Sequence, residues 1–99
     1  MSMFVEPVAV AAQAVGEATG AAVTAGVLAG SAPAMSAAVP MGAEEVSAAL
    51  AAAIQAHNAQ FLAMTGVNVA DRAMFATNVG VSGVAYAATD AANSTSLML

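Results

Sequence analysis

The sequence predicts an all-α fold, an antiparallel hairpin of two helices over residues of about 7–30 and about 43–92. Three observations carry that expectation. Residues 43–92 contain no proline, and large side chains recur there at helical spacing: Leu50, Ile54, His57, Phe61, Met64, Asn68, Phe75, Val79, Ser82 and Tyr86 stand three, four or seven residues apart. An alanine-rich stretch precedes that run, and the connection between them holds two prolines and is the right length for an antiparallel return. Lastly, a second row on the later helix lies beside the first. It comprises Val46, Ala49, Ala53, Ala56, Ala63, Val67, Ala70, Met74 and Val81, and it widens the apolar surface beyond what one neighbouring helix can cover. Such a hairpin has more apolar flank than it can hide by folding onto itself.

Composition narrows the function classes. The chain has 99 residues, room for a single domain, and only 4% of them are aromatic with no tryptophan, so side chains able to bury much surface are few. One basic residue, Arg72, stands against six acidic ones, for a net charge of -5, which argues against a nucleic-acid or anionic-membrane partner. Cysteine is absent, which removes disulfides, thiolate metal sites and a cysteine nucleophile. Mean hydropathy is +0.82, and residues 8–30 are long and apolar enough to raise the question of a membrane span. Gln13, Glu17, Thr19 and Thr24 interrupt that run, however, and no Lys or Arg flanks it, so no integral span is expected. A cleavable signal peptide is not expected either, because no positive charge precedes Arg72.

Taken in order, residues 1–6 form an irregular lead-in, with Glu6 as cap and Pro7 at the first helical position, where its missing N–H costs nothing. The first helix should present Val8, Ala11, Ala12, Val15, Ala18, Ala22, Val23 and Val27 as its packing face. Gly16 with Gly20, and Gly26 with Gly30, are each four apart, and such pairs can form a seam where a second backbone comes close. Residues 31–42 are the connection. The second helix then has Gly42 as its expected N-cap, with Glu44 and Glu45 in a first turn where the helix dipole favours anions. Gly66 is an expected weak point within it. Residues 93–99 lack a pattern and are expected to be a disordered tail behind a domain of residues 1–92.

The inventory for catalysis is poor. Glu44 and Glu45 are adjacent and point about 100° apart on a helix, which suits dipole complementation better than a shared proton or metal. His57 has no second His, Asp or Glu three or four residues away, so neither a metal nor a cofactor site is expected there. Asp71 and Arg72 suit a solvated surface pair, and Met64 and Met74 an adaptable contact surface. With no convergent acid, base and nucleophile, a non-enzymatic protein is expected.

Four stretches resemble the mycobacterial PE family, which is named for a Pro-Glu pair near the N-terminus. They are Met1 to Pro7 with the alanine-rich helix behind it, Val39-Pro40 leading to Glu44-Glu45-Val46-Ser47, Ala56-His57-Asn58 before Phe61, and Tyr86 to Asn93. One departure is plain, since Glu6 lies before the proline and Val8 follows it. The resemblance implies a hairpin that pairs with a PPE-family protein to give a bundle of four main helices, without cofactors. It also implies export of the folded heterodimer by a type VII secretion system to the cell surface or the medium. Tyr86 and Asp90 match that system's Tyr-x-x-x-Asp/Glu signal. The chain would be the bare module, lacking the extra domain that longer members append. The expected partner interface is Leu50, Ile54, His57, Phe61, Met64, Phe75 and Val79. The alternative expectation is a self-associating hairpin that serves as a structural or membrane-associated surface protein.

Overall fold

A computed structural model describes residues 5–98. The lead-in expected over residues 1–4 and the final residue of the tail lie outside the described residues. Those described form two helices, α1 over Pro7–Met35 and α2 over Glu45–Leu97, with no strand among them. The chain divides into two compact units: one takes the first stretch to Ala21 together with the last from Asp71, and the other is Ala22–Ala70.

In the first unit, α1 starts at Pro7, as its fixed φ and absent donor favour. Glu6 caps it: its carboxylate accepts from the Val8 N–H at 3.4 Å, and its carbonyl accepts from Val10 N at 3.1 Å. The least exposed helical positions here are Val10, Ala14, Glu17, Gly20 and Ala21 on α1, and Ala76, Val79, Gly80, Gly83 and Ala87 on α2. Their three- and four-residue steps mark the side along which the helices meet. At Gly83 the helices approach closely, since a Cβ there would lie 2.8 Å from Val10 Cγ1. At Gly80 it would lie 3.8 Å from the Ala14 Cβ, an ordinary contact.

The second unit is built the same way. Thr24, Ala25, Leu28, Ser31, Ala32 and Met35 on α1 and Ser47, Ala51, Asn58, Leu62, Thr65 and Val69 on α2 are its least exposed helical positions. Here α1 passes the expected end near Gly30 and continues through Pro33 to Met35. Proline in the final turn removes only the bond to the exposed Ala29 carbonyl, which water can satisfy. Tertiary bonds then hold the end: Asn58 Nδ2 donates to the Met35 carbonyl at 2.7 Å, and Gln55 Nε2 donates to the Ala38 carbonyl. These side chains serve as a C-cap supplied from the other helix.

At the α2 start the expectation of a Gly42 cap is corrected. Gly42 sits in a bend, Glu44 is the capping residue, and the helix begins at Glu45 rather than Ala43. The Ala48 N–H donates to the Glu44 carbonyl, and the Ser47 hydroxyl donates to the Glu44 carboxylate. A polar side chain that can accept from the first turn displaces glycine, which offers none. A Cβ on Gly42 would collide with that carboxylate, so the glycine clears space for the cap.

The start of the expected disordered tail also moves. Residues 93–97 continue α2, overrunning the end expected near Ala92. No glycine or proline follows Gly83 to stop the helix, and the Thr95 hydroxyl bonds the Ala91 carbonyl within it. Extending a formed helix costs little per residue even with poor formers. Gly66, the expected weak point, is helical without interruption.

Candidate interaction faces

The fully buried positions of the hairpin seam are small residues, with Val10, Leu28, Met35, Leu62, Val69 and Val79 half-buried beside them. Among the described residues the buried apolar set is Ala21, Ala51 and Ala76, and no polar or charged residue is buried. The packing face expected on α1 is therefore wrong, since Val8, Val15, Val23 and Val27 all point to solvent. The glycine pairs are likewise misplaced. A Cβ on Gly16, Gly26 or Gly30 would meet nothing, and only Gly20 lies against the other helix, under the Arg72 guanidinium. Close backbone approach needs small residues on the inner side, so the bulkier side chains are left outside.

Arg72 is not the partner of Asp71 that adjacency suggests. Its Nε donates to Glu17 Oε2 at 2.8 Å, with the Arg72 side chain 43% and the Glu17 side chain 23% exposed. Gln13 Nε2 donates to the other Glu17 oxygen at 3.2 Å. Neighbours on a helix diverge by about 100°, which turns Arg72 to the seam and Asp71 to the outside.

The large-residue row stands outside in each unit. In the Ala22–Ala70 unit, Leu50, Ile54, His57, Phe61 and Met64 are exposed, and Phe61, 49% exposed, borders an open hollow with Thr24, Val27, Leu28, Ser31, Met35 and Thr65. In the other unit Phe75 is 53% exposed, while Val79 is half-buried beside the seam. Tyr86 is 55% exposed and borders a shallow depression with Ser82, Ala85 and Thr89, and Asp90 is exposed one turn later. The second row is outside as well, with Val46, Val67, Met74 and Val81 exposed. What sequence reasoning missed is the intramolecular seam. Its signal was the three-four spacing of modest residues such as Asn58, Leu62, Thr65 and Val69, which the larger side chains one position earlier overshadow.

The exposed side chains of these faces are mostly apolar. No three of His, Cys, Asp and Glu among the described residues are grouped to hold a metal. At Glu44 the Ser47 hydroxyl, then its own backbone N–H, hold the carboxyl below its ordinary value. That is the chemistry of a helix cap. By length and composition α1 could also cross a membrane, and it is mostly exposed.

Compared with known proteins, residues 3–93 match the sequence model of the PE family. No curated protein and no solved structure matches the chain.

Proposed function

The chain belongs to the PE family, and from that premise we propose that it is a non-enzymatic helical subunit that pairs with a PPE-family protein and is exported with it by a type VII secretion system. The observation that carries the pairing is the outward row: Phe61 and Phe75, the phenylalanines of the described helices, stand half in water. Each compact unit thus offers an apolar strip that a second pair of helices would cover, completing a four-helix bundle. Leu50, Ile54, His57, Phe61, Met64, Phe75 and Val79 are the proposed contact residues. The pair would reach the cell surface or the medium without a cleavable signal peptide.

Tyr86 and Asp90 are the proposed export signal. Residues four apart on a helix place a phenol and a carboxylate on one exposed face, where a receptor could engage both. Two experiments test the reading separately. Phe61→Asp or Phe75→Asp should dissociate the PPE-family partner in a co-purification, because each buries an unpaired charge in an apolar seam; retained pairing would place the interface on another face. Tyr86→Ala or Asp90→Ala should abolish appearance in culture filtrate while pairing persists, and unchanged secretion would remove the signal.

A second reading is favoured by α1 alone, whose 29 residues and exposed valines suit a membrane-associated, self-associating surface protein. Glu17, tied to Arg72 in the middle of that helix, weighs against burial in lipid. A stable homodimer by light scattering would favour this second reading.

A further inference from the structure

Building on the proposed pairing with a different helical chain, we propose that the covering protein sets a lysine or arginine against Asp71. Asp71 stands one helical turn before Phe75, and Val79, Ser82 and Tyr86 follow at steps of four, three and four residues. That spacing puts the carboxylate at the head of a mostly apolar ribbon on α2 that is exposed at Phe75, Ser82 and Tyr86 and half-buried at Val79. The residue is exposed and has no hydrogen bond or ion pair among the described residues.

Among the described residues no cation is paired with it. The single base, Arg72, is its neighbour in sequence but points to the seam, with Nε on Glu17 and the guanidinium over Gly20. A second copy would bring another Arg72 held in the same way, no other Lys or Arg, and a further charge of -5. A chain that covers Phe75 must also take water from the carboxylate one turn away, which is unfavourable unless a cation and its hydrogen bonds replace that water. Charge complementarity therefore selects a different, cation-bearing protein as the occupant, and disfavours a second copy or an anionic bilayer.

The test uses the full chain co-expressed with a PPE-family protein, and compares wild type with Asp71→Asn, Asp71→Lys and Asp71→Glu. Because residue 71 is exposed on a helix, all variants should keep wild-type helicity by circular dichroism. Asp71→Asn should weaken pairing by about tenfold at low salt and flatten its salt dependence. Asp71→Lys should lose the complex, and Asp71→Glu should retain it. An Asp71→Asn pair as tight as wild type, with the same salt slope, overturns the inference alone. A wild-type homodimer by light scattering overturns it by making a second copy the occupant. A wild-type chain that pairs with no PPE-family protein removes the proposed function, and this inference falls with it.

Discussion

A glycine's effect in this hairpin depends on which side of its helix it occupies, and neighbours decide that more than spacing does. Gly16, Gly26 and Gly30 have open space where a Cβ would sit, so alanine at each should raise the helix content of the isolated chain, through a gain of up to about 1 kcal/mol per site. Gly83→Ala should lower it, because a Cβ 2.8 Å from the stiff Val10 side chain forces a shift that costs about 1–3 kcal/mol, more than the helix propensity gained. Thermal unfolding followed by circular dichroism separates the two groups, and equal effects would show that the seam yields freely. At Glu44 the expected effect is one of pH. Its folded pKa is depressed, so the stabilisation it gives is present above the unfolded carboxylate value and is lost as pH falls through the lower, folded one. Ser47→Ala should move the Glu44 carboxyl back toward its ordinary value in an NMR titration, since that hydroxyl is the main cause of the shift.

For the helices as elements, starts were more legible than ends. Pro7 and Glu6 sit where local chemistry puts them, since a helix start depends on residues within one turn. The end of α1 is decided by Asn58 and Gln55, 23 and 17 positions from the carbonyls they hold, which no local signal reports. For the same reason Pro33 failed to stop the helix. Asn58→Ala should therefore loosen the end of α1 by about 1 kcal/mol, a roughly fivefold rise in opening. Hydrogen exchange should show it as faster exchange of the Ser36 and Ala37 amides, with those at the start of α1 unchanged. The Glu17–Arg72 bond joins the helices at a partly exposed site, so a double-mutant cycle to alanine should give a coupling below about 1 kcal/mol. It fixes which residues face each other more than it stabilises, because a seam of alanine and glycine offers few knobs to set register.

At the scale of the molecule, the fold class was legible because helical periodicity and a proline-bearing connection are properties of the chain itself. The candidate site was legible in part. The row from Leu50 to Val79 could be read from the sequence, but the assumption that valines and glycines of α1 form the inner face inverted that helix. Size misled there, because the intramolecular contact is the one that needs small residues. The same inversion sets the final expectation. A hairpin whose buried apolar side chains, among the described residues, are three alanines has little hydrophobic gain to set against the entropy of ordering its helices. The larger apolar groups remain outside, where they contribute only when something covers them. Purified alone, the chain should self-associate or melt broadly without a cooperative transition, and with its partner it should become monodisperse and melt sharply. Light scattering and circular dichroism on the same samples measure both properties. A cooperatively melting monomer at micromolar concentration would mean that the seam suffices, and that the exposed row is not what completes the fold.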